Sequence, residues 1–558
     1  MRKLVEVVPN FSEGRDRNVI DAITAAIEAV EGVTLLDVDP GAATNRTVVT
    51  LVGPPEAAVE AALAAIAEAK ERIDMRTHQG AHPRMGATDV CPFVPVSGVT
   101  MDECAELART LGQRVGEELG IPVYLYEHAA TREAFNNLAE ARSGEYEGLA
   151  SRDYADPAWK PDFGPAELVP RCGATAIGAR EFLIAYNVNL NTRDARIARE
   201  IALQIREKGR WARDAQGKVV RDADGNKVRQ PGRFQHCKAV GWYIEEYGQA
   251  QVTINLTDYK VTSMHDVLDA IRAEATARGA RVTGSEAVGL VPLESMRAAG
   301  RHYLVQQGKS PGLPDADLVH VARVSLGLDD VAVFEPRDKI VEWRVAEARP
   351  LVDATLEGFC DALSSDTPAP GGGSTAALCG ALSAALSAMV GNLTAGRSGC
   401  EAGLFTAMGE LARRAQAQKE RLLAAVEEDS AAYDRVIAAR RLKGKTDEER
   451  AKKSAAIEAA TREAIGVPLA VLEAAPELLA LAEDALERGM QSSLSDAGVA
   501  GLCALTAARG AYANVRINLP DLADAAGRGA LRGRADAALK DAEAGAERLW
   551  ERVRERLE

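Results

Sequence analysis

Near Val352 the chain changes character. Before it, short alternating apolar runs of strand type are interleaved with helical segments; after it, strands vanish and alanine, leucine, glutamate and arginine recur at helical spacing to the end. No single fold satisfies both patterns. The 558 residues therefore predict an α+β region followed by a separate all-α, helical-bundle domain. Aromatic residues make up only 4% of the chain against 47% hydrophobic residues, which predicts close packing through alanine rather than through large rings.

Within the first region LVEVVPNF, VTLLDVDP and NRTVVTLVG read as strands, with helices starting near Arg15 and Pro54. A further helix is predicted over 101–119, where Thr100 can cap and Glu103 sits three residues on. VYLYEHA closes this unit as a strand. From Glu181 the order returns: FLIAYNVNL, a helix from Thr192, KAVGWYIEEYG, QAQVTINLTDY, a helix from Ser263, and VTGSEAVGLVP. Two ferredoxin-like α/β sandwich subdomains, each a mostly antiparallel sheet with helices on one face, account for the repeated order, and a cleft between them is a natural ligand site. The predicted divisions are 1–178 and 179–330 for the subdomains, 331–351 for a linker, and 352–558 for the helical domain. Segments 77–93 and 162–181 read as glycine- and proline-containing loops, and 209–233 as a mobile, highly charged hairpin. Its DADGN run opens like a calcium loop but lacks the distal glutamate and flanking helices, so calcium is not expected.

A net charge of −15 disfavours nucleic acid and anionic membrane as partners and points to small molecules. Eight cysteines are scattered without a CxxC pair, which predicts a reducing compartment and no zinc ribbon. The start MRKLVEVVPNF has no signal-peptide pattern, so a cytoplasmic location is expected. The run 374–394 is long enough to raise a membrane question, but its serines, Gly380 and Asn392 predict a buried helix with close neighbours. Helical faces this rich in alanine predict a homo-oligomer.

Two places in the first region carry candidate chemistry. His82 lies between Gly80 and Pro83, in a turn rather than a helix, and a neutral imidazole can take and return a proton at physiological pH. A structural histidine bonded to backbone is the alternative. His78, four residues earlier, invites a metal reading, which the helix-breaking Gly80 and Pro83 oppose; no metal is expected. Asp37 and Asp39 share one side of a strand, and Asp39 at its end can orient an imidazole or merely cap the turn. Arg46 and Arg84 are candidates for gripping substrate carboxylates or for ordinary ion pairs.

In the helical region three glycines precede a helix in SSDTPAPGGGSTAALCG, and Gly372, Gly373 and Ser374 offer free amides at its start. VEEDSAAYD clusters Glu427, Glu428, Asp429 and Asp434, and Asn514 and Asn518 share a helix face. Recognition of a ligand by these amides stands beside interhelical bonding, and a solvated acidic face beside a catalytic one.

The segments VPNFSEGR (8–15), LLDVDPGAATNRTV (35–48), HQGAHPRMGATDVCPF (78–93), VYLYEHA (123–129) and FGPAELVPRCGAT (163–175) together resemble the glutamate formiminotransferase family, from residue 1 to about 330. The resemblance implies folate in the cleft between two α/β subdomains, His82 as catalytic acid/base and Asp39 beside it. It also implies folate contacts from a loop comprising Gly164, Pro165, Ala166, Glu167, Leu168, Val169, Pro170, Arg171, Cys172 and Gly173, with Gly178 beyond it. Cys172 stands where relatives can carry an aromatic residue, so ring stacking there is not carried over. APGGGSTAALCGALSAALSAMVG, VEEDSAAYD, VPLAV, SDAGVA and YANVRINL resemble the formiminotetrahydrofolate cyclodeaminase family over about 352–545. That likeness implies Asp429 as proton donor, with Gly372, Gly373, Ser374, Asp496, Asn514 and Asn518 as site candidates.

Together the two resemblances are those of a bifunctional folate enzyme of histidine degradation and one-carbon metabolism. The implied reaction moves a formimino group from N-formimino-L-glutamate to tetrahydrofolate, with or without a polyglutamate tail, and then cyclises the product to 5,10-methenyltetrahydrofolate with loss of ammonia. An acid must protonate each departing nitrogen. The alternative keeps the transferase and makes the helical domain a cyclohydrolase-like or oligomerising module. A nucleic-acid-binding module is opposed by the acidic charge and by strands without an exposed aromatic run.

Overall fold

The computed structural model describes residues 3–42, 44–80, 83–346 and 348–558. They group into two compact units: residues 1–296 with 326–346, and residues 297–325 with 347–558.

The first unit contains two sheets. One runs in the order Leu4–Val7, Arg46–Gly53, Asn10–Phe11, Thr88–Ser97, Thr175–Ala179, Val123–Glu127, with Thr34–Gly41 paired to the outer side of Arg46–Gly53. Its pairings are antiparallel except that Thr175–Ala179 runs parallel to both of its neighbours. Thr88–Ser97 and Thr175–Ala179 correct the reading of their segments as loop throughout. Both strands are buried on both faces, so neither shows the alternation that marks a half-exposed strand, and their glycines and prolines mimic a turn. Alternation does decide the neighbouring strand: Val123 and Leu125 face a core shared with the helices Pro55–Arg72 and Met101–Leu119, while Tyr124 and Tyr126 face a second cluster with Phe135 and Leu149.

The Met101–Leu119 helix starts as its sequence predicts, with Thr100 and Glu103 forming a reciprocal capping box, and it ends at Gly120 with φ of 62°. Ser263 and Asp266 cap Met264–Ala277 in the same way. The second sheet is antiparallel throughout, in the order Cys237–Ile244, Gln249–Leu256, Ile184–Leu190, Val282–Val288. Ala195–Ile205 lies on one face so closely that a Cβ on Gly241 would meet the carbonyl carbon of Ala198 at 2.2 Å.

The segment 209–233 is a doubled turn. Residues 213–220 and 221–228 repeat as RDAQGKVV and RDADGNKV. In each copy the aspartate accepts two backbone N–H bonds, Asp214 from Gln216 and Lys218 and Asp222 from Asp224 and Asn226, and the arginine donates to the glycine carbonyl. At the neck, Arg229 stacks 3.8 Å from the centroid of Trp211.

The second unit is helical, built mainly from Gly372–Ala395, Ala402–Arg441, Asp447–Arg488, Leu494–Asn518 and Ala525–Leu557. Its core is dominated by fully buried alanines, among them Ala377, Ala384, Ala482, Ala504, Ala508 and Ala535. Glycines bring helices closer still: a Cβ on Gly501 would lie 2.3 Å from a methyl of Leu549. Two helices, Gly372–Ala395 and Asp447–Arg488, contain windows apolar enough to cross a membrane, and 56% of each window is buried within the protein.

Candidate functional sites

Ala81 and His82 lie outside the described residues. The chain on either side of them is held tightly. Asn45, itself at φ 49°, donates from Nδ2 to the carbonyl of Gln79 and accepts the N–H of Gly14. Gly80 leaves no room for a side chain, because a Cβ there would lie 2.1 Å from the carbonyl oxygen of Thr44. His78 is fully engaged: Nε2 contacts the carbonyl of Asn45 at 2.8 Å, and Nδ1 accepts from Arg84. That leaves His78 no ring nitrogen for a metal. Arg84 is nearly buried and forms an ion pair with Glu147, at 2.8 and 2.6 Å.

Asp37 and Asp39 are both exposed on Thr34–Gly41, and the charge of Asp39 reaches Arg46 on the neighbouring strand. The loop 164–173 is tied directly to the chain that follows His82. Ala87 donates to the Cys172 carbonyl and Ala174 to that of Met85, while a Cβ on Gly173 would meet the same Met85 oxygen at 2.3 Å. Gly164, Ala166, Glu167, Pro170 and Arg171 are exposed, Pro165, Leu168 and Val169 half-buried, and Cys172 and Gly173 buried. Burial raises the Cys172 thiol above its ordinary value. Gly178 lies inside the strand Thr175–Ala179, where a Cβ would meet the Tyr126 carbonyl at 2.4 Å; this contact accounts for the glycine.

A cavity of about 1130 Å³ is lined by Glu127, His128 and Arg142 from the first sheet's side and by Glu207, His236 and Lys238 from the second's. A smaller hollow of about 160 Å³, lined by Asn10, Arg46 and Tyr126, shares Glu127, Arg142 and Arg180 with it. The loop 164–173 lines neither. The sequence reading did not single out Arg142, Arg180 or Lys238. Arg180 alone carried a signal, as a charge placed directly after a buried strand. Burial pushes the nearby Glu6 carboxyl up to about 7, Arg180 opposing and Glu342 adding to the shift.

In the helical unit four of the expected residues meet around Asp429. The helix Gly372–Ala395 has no side-chain cap of its own, and the Asp429 carboxylate, from Ala402–Arg441, stands against its first turn. Ser374 Oγ is 3.2 Å from Asp429 Oδ2, 3.2 Å from Ser430 Oγ and 2.9 Å from the Val426 carbonyl. Asn514 approaches the same turn, its Nδ2 lying 3.3 Å from the place of a Cβ on Gly372, and it donates to the Gly510 carbonyl. Burial raises the Asp429 carboxyl above the ordinary aspartate value, while Ser374, through its hydroxyl and its backbone N–H, draws it back. The outcome is an acid that holds its proton more readily than a surface aspartate.

The rest of the acidic cluster divides by role. Glu427 accepts the backbone N–H groups of Leu351 and Val352, and Glu428 and Asp434 are exposed. Asn518 ends the helix Leu494–Asn518 one turn beyond Asn514. Asp496 occupies its first turn, about 27 Å from Asn514 at 1.5 Å per residue, so within one chain Asp496 is not brought to Asp429.

Three family models match the chain: the formiminotransferase domain, N-terminal subdomain, over residues 4–180; the formiminotransferase domain over 185–346; and formiminotransferase-cyclodeaminase over 355–537. The formimidoyltransferase-cyclodeaminase of Rattus norvegicus is 43% identical over 94% of this chain and 94% of its own. Glutamate formimidoyltransferase of Streptococcus pyogenes serotype M1 is 41% identical over 54% of this chain and 94% of its own. Methenyltetrahydrofolate cyclohydrolase of Methylorubrum extorquens is 38% identical over 36% of this chain and 97% of its own.

Proposed function

The chain belongs to the formimidoyltransferase-cyclodeaminase family, and on that premise we propose how its residues divide the work of two reactions. It is a bifunctional enzyme: it transfers the formimidoyl group of N-formimidoyl-L-glutamate to tetrahydrofolate, and it cyclises the 5-formimidoyl product to 5,10-methenyltetrahydrofolate with release of ammonia. The transferase half consists of two ferredoxin-like subdomains; the second sheet's β-α-β-β-α-β element order and antiparallel pairing support this. In it, His82 takes the proton that N5 loses on attack and returns one to the departing glutamate nitrogen, while Asp39 and the 164–173 loop serve imidazole and folate. Support comes from the bonds that join this loop to residues 85–87.

The cyclodeaminase half uses Asp429 as the acid. When N10 attacks the formimidoyl carbon, a carbon bearing three nitrogens forms, and it collapses only if the departing nitrogen is protonated. The observation that carries the assignment is the half-buried Asp429 carboxyl, held against Gly373 and Ser374 at an uncapped helix start. Gly372, Asn514 and Asn518 then line the same end. Self-association through the exposed Leu382, Met389 and Leu393 stripe of Gly372–Ala395 is part of the proposal.

The test supplies N-formimidoyl-L-glutamate, tetrahydrofolate and this protein alone, and follows methenyl-folate absorbance and ammonia. His82→Ala is expected to stop both signals. Asp429→Asn is expected to retain transfer and to slow ammonia release by about 10²–10⁴-fold, the usual contribution of a positioned acid. Ammonia release at the unsubstituted rate in Asp429→Asn would remove the assignment. The cyclohydrolase relative favours one further reading of the helical half, hydrolysis of the methenyl product, which disappearance of added methenyltetrahydrofolate would reveal.

A further inference from the structure

The smaller hollow beside the large cavity has an unusual electrostatic floor. Asp89 is 1% exposed, accepts the Met85 N–H at 3.1 Å and binds Arg142 at 2.8 Å, and its charge is also felt by Arg46. Arg180 faces the same hollow. Arg142 and Arg46 thus act on one buried carboxylate, and Arg180 adds a third guanidinium to the lining of the hollow. Burial shifts Asp89 toward its neutral form, against the pull of Arg142 and Arg46, and does the same to the other carboxyls of the neighbourhood, Glu6 and Glu127. Two buried polar atoms on the lining have no partner: Arg142 Nε, a donor, and Asn10 Oδ1, an acceptor on a side chain that is 4% exposed. Leaving such groups unbonded costs stability unless a ligand completes them. A volume of about 160 Å³ admits a small amino-acid derivative and excludes a pterin with its benzoyl arm.

We propose that this hollow is the seat of the amino-acid donor, with a donor carboxylate on Arg142, supported by Arg46 and Arg180, and a donor N–H on Asn10 Oδ1. The inference rests on the transferase reading above and assigns specificity residues within it. An excess of fixed positive charge selects a substrate of at least two carboxylates, and an unpaired amide oxygen beside it suits the N–H of an amidine. Asp89 is a positioning residue: it fixes the Arg142 fork and, through Met85, ties that fork to the chain three residues after His82.

Steady-state transfer kinetics test the assignment. Arg142→Lys keeps a cation for Asp89 but loses the fork, and Arg142→Gln removes the charge. The expected result is a KM for N-formimidoyl-L-glutamate raised about 10- to 100-fold, the loss of one charge-assisted bond, with the KM for tetrahydrofolate within about twofold. Replacing a donor carboxylate by a carboxamide is expected to hurt the unsubstituted enzyme as strongly and to add little in Arg142→Gln. Glutarate, tested on the unsubstituted protein, guards against misfolding: it is expected to compete with the donor and not with folate. Variants that raise the folate KM instead, or glutarate that competes with folate or with neither, overturn the inference while leaving the enzyme's function intact. Absence of any transfer by the unsubstituted protein would instead overturn the function.

Discussion

A Cβ placed on Gly373 would stand 2.1 Å from Oδ1 of Asp429 and 2.5 Å from its Cγ. The carboxylate therefore occupies the space that a side chain at 373 would need, and the glycine is the condition for its position. Gly373 lies in the first turn of a helix, so its role is to let a charged group from a neighbouring helix approach rather than to supply backbone freedom.

Gly373→Ala is expected to displace Asp429 and to lower ammonia release from 5-formimidoyltetrahydrofolate by at least about 10²-fold, the lower range for losing a positioned acid. Formimidoyl transfer, which occurs in the other unit, is expected to continue at its original rate. Alanine at a helical position by itself stabilises by roughly 0.5–1 kcal/mol, so lost activity at a maintained Tm isolates the displacement. Full ammonia release in this variant would show that Asp429 tolerates the shift.

Glu6 gives the transferase unit a stability that depends on pH. Its folded carboxyl is pushed up to about 7 from an ordinary 4.5, so between those values the folded state binds the extra proton and stability falls as pH rises. At about 1.4 kcal/mol per unit the whole effect is on the order of 3–4 kcal/mol, complete once pH passes 7. Glu6→Gln is expected to match the original Tm at pH 5 and exceed it at pH 8. A variant that gains nothing at pH 8 relative to pH 5 would count against a neutral Glu6 in the folded chain.

On Gly372–Ala395 the exposed Leu382, Met389 and Leu393 recur at spacings of seven and four, which is one face of a helix. Leu382→Lys with Leu393→Lys is expected to dissociate the assembly, read as a fall in sedimentation coefficient at micromolar concentration. An unsubstituted protein that sediments as a monomer would end the proposal of self-association.

Excision of residues 212–228 with a short glycine bridge is expected to shift Tm by no more than a few degrees and to leave both transfer KM values within about twofold. The bonds of the doubled turn close on themselves, and its neck is held separately by Arg210–Trp211 pairing with Arg229–Gln230. A large loss of activity would show that this segment acts on the neighbouring cavity, which Glu207 and His236 line.

What was legible in the sequence was mostly local chemistry. Thr100 with Glu103, and Ser263 with Asp266, announce helix starts because the bonds they make span three residues. The GGGS run and the DS pair of VEEDSAAYD could each be singled out, yet that Asp429 stands against Gly373 and Ser374 depends on packing between two helices. Asp496 looked equivalent to Asn514 because both lie in distinctive stretches, and only helix length separates them. The parallel strand Thr175–Ala179 was hidden by its small residues, of which Gly178 is there because Tyr126 leaves no room for a side chain. Arg142 had no short-range signature, and Arg180 only that of a charge directly after a buried strand: the hollow they line is assembled from residues more than a hundred positions apart.

The alanine core of the helical unit makes its tolerance to mutation one-sided. Shrinking a buried alanine to glycine forfeits one methyl and some helix preference, about 1 kcal/mol. Enlarging the fully buried Ala504 or Ala508 to valine has to displace the helices packed against it, at about 1–3 kcal/mol. Sequence drift in this half of the molecule is thus screened by side-chain volume more than by polarity, and its long helices change chiefly on their outer surfaces.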